Sequence, residues 1–115
     1  RPASPFVCRF LGEVNELPIA LHAPFSGSTD DTSIAFVRPH DLAFERGAGG
    51  TTLRIDSVRD LGATFRIEAR HGDLAAPVVA SYERERYAAT PLRVGDAVGL
   101  APRHWVLFSD QTALS

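Results

Sequence analysis

The sequence predicts a mainly β fold: a small β-barrel of about six to seven short strands with one short N-terminal helix. Residues 52–70 alternate apolar and polar with a period of two, the mark of strands with one dry face and one wet face. Short apolar runs are separated by Gly, Pro, Asp and Ser turns at spacings of roughly 8–15 residues, as in small all-β domains. Helical spacing is found only at the start of the chain. The 115 residues make one domain, long enough to bury about two thirds of its unfolded surface without disulfides. A hydrophobic share of 44% and a charged share of 23% are those of an ordinary globular domain, so no second domain is needed.

The helix is expected over 4–11, with Ser4 as N-cap, Pro5 at the first helical position and Phe6, Val7, Phe10 and Leu11 on one side. Gly12 stops it. Residues 18–22 read as a first strand, with Pro18 tolerable at its start. Residues 23–33 carry Pro24, Gly27, Asp30 and Asp31, which is loop chemistry. Residues 33–38 form a core strand that ends at Arg38, because Pro39 cannot donate to a ladder and holds the residue before it extended. Residues 45–50, with Gly47, Gly49 and Gly50, are a connection. The alternation then runs through Leu53 and Ile55, turns at Asp60-Leu61-Gly62 and returns through Ala63, Phe65, Ile67 and Ala69. Val58 is out of phase with Leu53 and Ile55, which predicts a bulge near Ser57. After a turn at 71–73, residues 77–83 give another strand, and Glu83-Arg84-Glu85-Arg86 reads as a solvated, self-paired charge run. A Gly95-Asp96 turn leads to a strand with Val98 and Leu100, residues 102–104 turn, 105–108 form the last strand, and 109–111 end it.

Composition excludes several functions. All 12 basic residues are Arg, so this chain has neither the Lys of a phosphate-binding P-loop nor a Schiff-base Lys. A net charge of −2 lacks the basic excess of a nucleic-acid surface. Cys8 is the only cysteine, so there is no internal disulfide and no multi-cysteine zinc site, and its apolar neighbours predict a buried, reduced thiol. His22, His40, His71 and His104 show no metal-ligand spacing, no nucleophile elbow is present, and no apolar run nears the ~20 residues of a spanning helix. The chain begins with Arg and contains no Met, which reads as a processed or excised piece of a longer protein.

The residues that remain for binding are Arg38 and His40 at the strand end and Thr51 and Thr52 after the glycine-rich connection. A guanidinium suits two-point contact with an oxyanion, and glycine lets backbone N–H groups approach one. Together they are candidates for oxyanion or effector binding, or for an interface. The alternative is that Arg38 pairs with Asp41 or Glu45. No catalytic, cofactor-binding or metal-binding residue is assigned.

Residues 5–15, Pro-Phe-Val-Cys-Arg-Phe-Leu-Gly-Glu-Val-Asn, resemble the segment that leaves the ATP-binding domain of ABC importer ATPases. Val37-Arg38-Pro39-His40-Asp41 resembles a strand end in their C-terminal regulatory module, the OB-like TOBE domain, and Val94-Gly95-Asp96 with Val106-Leu107-Phe108 resembles its close. The Gly12-Glu13-Val14-Asn15 wording and the Arg38-Pro39-His40 step are most similar to the sulfate/thiosulfate importers; sugar and polyamine members usually carry Glu where His40 stands, and molybdate, phosphonate, iron or sugar importers are the alternative parents. The resemblance implies a connecting helix and linker over 1–15 and an OB-like regulatory β-barrel over 16–115. It further implies a non-catalytic regulatory and dimerisation domain that forms a homodimer. The parent would supply ATP and Mg chemistry, dock on membrane permease subunits and sit peripherally on the cytoplasmic side of the cell membrane. The resemblance also implies an inhibitory signal received from a protein or from the transported small oxyanion, and the alternative is an oxyanion-sensing domain of a molybdate-type or other importer. A single-stranded nucleic-acid binder is the remaining alternative for an OB-like barrel, but no nucleic acid is expected as partner, since the aromatics alternate into the core.

Overall fold

The apolar run before Arg38 becomes β2 (Ile34–Val37), the centre of the first of two sheets. It pairs antiparallel with β1 (Asn15–Pro18) on one side and β8 (Val106–Phe108) on the other. The second sheet holds β3 (Leu42–Glu45), β4 (Leu53–Asp60), β5 (Thr64–Arg70), β6 (Val78–Glu83) and β7 (Ala97–Pro102), in the order β3-β7-β4-β5-β6 with every pair antiparallel. Helices α1 (Pro5–Phe10) and α2 (Arg84–Ala89) complete the set with three short 3-10 turns. This computed structural model describes residues 5–26, 33–47 and 50–108. The Ser4 cap, the Asp30-Asp31 pair, Gly49 and the end expected over 109–111 lie outside them.

The hairpin appears as the alternation predicts, with Leu53, Ile55, Ile67 and Ala69 buried in the main core. The register of β4 against β5 shifts between Ile55 and Ser57, so the bulge lies where Val58 broke phase. Pro102 stands opposite Leu42, one step from the 2.7 Å bond that the Arg103 N–H gives to the Asp41 carbonyl. In an antiparallel pair that is a position where no ladder N–H is required, so the proline is tolerated there.

The OB-like barrel is not formed. Among the described residues both sheets are open, and eight strands replace the expected six to seven. The edges of the larger sheet, β3 and β6, run close to each other, but side chains occupy the places a closing ladder would use. The Phe44 N–H donates to the Tyr82 hydroxyl at 2.8 Å. The Val79 N–H donates to Asn15 Oδ1 at 2.7 Å, while Asn15 Nδ2 donates to the Val79 carbonyl at 2.8 Å and to the Val37 carbonyl at 3.1 Å. One side-chain amide thus caps the edge of β6 and ties it to the smaller sheet.

Four further expectations are corrected. The first strand is 15–18, not 18–22: Asn15 and Leu17 point inward, and Pro18 ends the strand and leads into the 3-10 turn Ile19–Leu21. β3 precedes the glycine-rich connection, because Leu42, Ala43 and Phe44 are all buried and offer no alternation to read. The charge run is not self-paired. Arg84 bonds Asp60 and the Gly62 carbonyl and lies 4.7 Å over the Phe65 ring, while Arg86 lies 5.2 Å over Tyr82. Phe10 and Leu11 do not form a buried helix face either; they are exposed, and it is Cys8 that packs against Phe36 and Phe108.

Candidate functional site

Arg38 follows the last residue of β2, held extended by Pro39 (φ −68°, ψ 146°). Its side chain turns back to the N-terminal segment. Nη1 donates to the carbonyls of Gly12 (2.8 Å) and Glu13 (3.1 Å), and Nη2 donates to the carbonyl of Cys8 (2.5 Å). Neither Asp41 nor Glu45 takes it. Asp41 instead faces His40 Nε2 at 3.5 Å and Arg103 at 3.7 Å, and Arg103 also donates to the His40 carbonyl.

His40 stands in the 3-10 turn Pro39–Asp41, which lies against β6, and its side chain is 70% exposed. Two neighbouring clefts meet at His40 and Ser81. One, of about 400 Å³, is lined by Leu11, Gly12, Glu13, Arg38, Leu61 and Arg66. The other, of about 450 Å³, is lined by Thr64, Glu83, Arg86 and Arg103. Val79 turns its N–H and C=O to the outer edge of β6, and by the alternation of an antiparallel pair Ser81 presents its own to the same edge. The second cleft therefore gathers a backbone donor, two hydroxyls, two guanidiniums and an imidazole, opposed by the Glu83 carboxylate.

The first cleft is electrostatically closed on itself. Arg66 grips both oxygens of Glu13 at 2.8 Å and reaches Glu68 at 3.1 Å, which holds the Glu13 carboxyl below its usual range and pushes Arg66 up. Burial pushes the Tyr82 hydroxyl up, so it remains protonated beside Phe44. Burial against Phe25 and Trp105 lowers His22, which serves packing.

Thr51 and Thr52 lie just before β4, whereas Leu61, in the Arg38 cleft, follows its last residue. Eight residues of strand at about 3.3 Å each separate them by roughly 25 Å. The structure thus brings Arg38 and His40 together and leaves the two threonines at the other end of the sheet. Sequence reasoning missed Ser81, Arg86 and Arg103, whose partners in the cleft come from distant strands. Among the described residues, no group of three or more His, Cys, Asp and Glu is placed to hold a metal ion, and no helix is long and apolar enough to cross a membrane.

Comparison with known proteins places these features in a wider context. A family model described as "TOBE domain" matches residues 35–108, from β2 through β8. The chain is 30% identical over 115 residues to a sulfate/thiosulfate import ATP-binding protein CysA of Methylococcus capsulatus, covering 88% of the chain and 32% of that protein. It is 32% identical over 127 residues to the protein of that name from Bordetella pertussis, covering 96% of the chain and 36% of the relative. For the one from Thermosynechococcus vestitus the figures are 34% over 104 residues, 89% and 30%. The chain spans about a third of the length of the curated relatives it matches.

Proposed function

From the premise that this chain belongs to the TOBE domain family, we propose that it is the regulatory and dimerisation domain of the ATP-binding subunit of a sulfate/thiosulfate-type ABC importer. The observation that carries the reading is similarity over 88–96% of the chain to proteins named for that import. Residues 1–15 serve as the connection from an ATP-binding domain, and the β-sheets that follow are the regulatory body. ATP and Mg are used by that other domain. The subunit pairs with a second copy, docks on membrane permease subunits and works at the cytoplasmic face. Sedimentation of this chain tests the pairing: a monomer–dimer equilibrium is expected at micromolar concentration, and a pure monomer at several hundred micromolar would remove dimerisation from the role.

A second reading, oxyanion sensing, is supported by the cleft of His40, Thr64, Ser81, Arg86 and Arg103. Two guanidiniums and hydroxyl donors suit a tetrahedral anion. Arg38, engaged with three carbonyls, supports that cleft's wall by starting the turn that carries His40. Melting with sulfate, thiosulfate, molybdate and phosphate at constant ionic strength tests it, since a ligand bound only by the folded state raises the midpoint. A rise with one anion that is lost in Arg86→Gln supports sensing. An equal response to all four, or to none, discards it.

A further inference from the structure

Residues 8–13 are fastened to the sheets by arginines acting from different directions. Arg38 holds the carbonyls of Cys8, Gly12 and Glu13, Arg66 holds the Glu13 carboxylate, and Arg9 reaches past the Gly12 turn to both oxygens of Glu16 at 2.6 and 2.9 Å. A helix of six residues has little stability of its own, and its last carbonyls have no intrahelical partner. Arg38 supplies that partner at Cys8 from a strand 30 residues away. Gly12 suits the turn through its backbone: its φ of 138° belongs to glycine, while a Cβ there would sit in ordinary contact with Arg38 Nη1 at 3.9 Å.

The other end of Arg38 is equally committed. Its carbonyl accepts the Asp41 N–H at 2.9 Å and so closes the 3-10 turn that carries His40. We propose that Arg38 is a latch that makes residues 8–13 and the turn Pro39–Asp41 move as one body. A displacement applied at the start of α1 then reaches the turn that carries His40 through the Arg38 guanidinium. The planar fork takes these carbonyls with two nitrogens held in fixed directions, whereas a lysine gathers its three donors on one nitrogen. The proposal concerns contacts within this chain and stands apart from the importer reading.

Cys8 provides the test, because it is the only cysteine and is 3% exposed beneath Phe36 and Phe108. Its rate of reaction with an aromatic disulfide reagent in native buffer reports opening of α1, while hydrogen exchange of β4 and β5 reports opening of the whole domain. Arg38→Lys is expected to raise the Cys8 rate at least tenfold and to leave β4 and β5 exchange within twofold of wild type. Arg38→Met, which keeps the apolar stem, is expected to do the same and serves if the lysine variant does not fold. An unchanged Cys8 rate overturns the latch. So does a rise matched by equal loss of protection in β4 and β5, since Arg38 would then hold up the whole fold and not one segment.

Discussion

Replacing Asn15 by Ala should be among the most damaging single substitutions in this domain. Its amide makes three hydrogen bonds in a buried setting, to Val37 and twice to Val79, and joins the two sheets. Each is worth about 1 kcal/mol net, and the Val79 N–H left without a partner adds about 1–3 kcal/mol, so the loss is roughly 4–6 kcal/mol. For a domain of this size that corresponds to a melting point lower by roughly 15–25 °C. Equilibrium urea unfolding followed by far-ultraviolet circular dichroism, with the midpoint and slope fitted together, measures it. Asn15→Asp refines the test. The carboxylate can accept from Val79 but stands against the Val37 and Val79 carbonyls, so its folded-state pKa should rise, and the variant should regain stability as pH falls. A loss below about 1 kcal/mol for Asn15→Ala would refute the argument, because buried polar groups left without partners cannot be that cheap.

Tyr82→Phe removes the hydroxyl that accepts from Phe44 and should cost about 1–3 kcal/mol in the same assay, with the larger sheet's edge at β3 losing amide protection first. His22 is lowered by burial, so the neutral imidazole is the folded form. Its contribution is present above the unfolded value near 6.5 and is lost as pH falls through the depressed folded value. Between pH 7.5 and 5 the urea midpoint should therefore fall more steeply for the wild type than for His22→Phe, and parallel curves would contradict this.

The hairpin and its bulge were legible because each depends on neighbours in sequence: Leu53, Ile55 and Ile67 keep a period of two, and Val58 breaks it. The resemblance to the regulatory module was legible in short motifs, and the family match across 35–108 agrees with it. The closure of the fold was not legible. It turns on Tyr82 meeting Phe44 and Asn15 meeting Val79, contacts 38 and 64 residues apart that no local pattern encodes. β3 was hidden because a strand buried at Leu42, Ala43 and Phe44 shows no alternation, and α2 was hidden because Arg84-Glu85-Arg86 carries no apolar stripe. At the site, Arg38 was recognisable as the residue at a strand end. Its partners were not, since backbone carbonyls 25 to 30 residues away leave no mark on side-chain identity.

The measurement closest to the central claim is sulfate uptake by a chimera. The matching C-terminal third of the Methylococcus capsulatus protein named CysA would be replaced by this chain, and uptake of labelled sulfate would be followed in cells lacking their own ATP-binding subunit. A regulatory domain of that importer class should restore uptake to within a fewfold of the parent protein. A chimera that accumulates, hydrolyses ATP and still imports no sulfate would contradict the assignment.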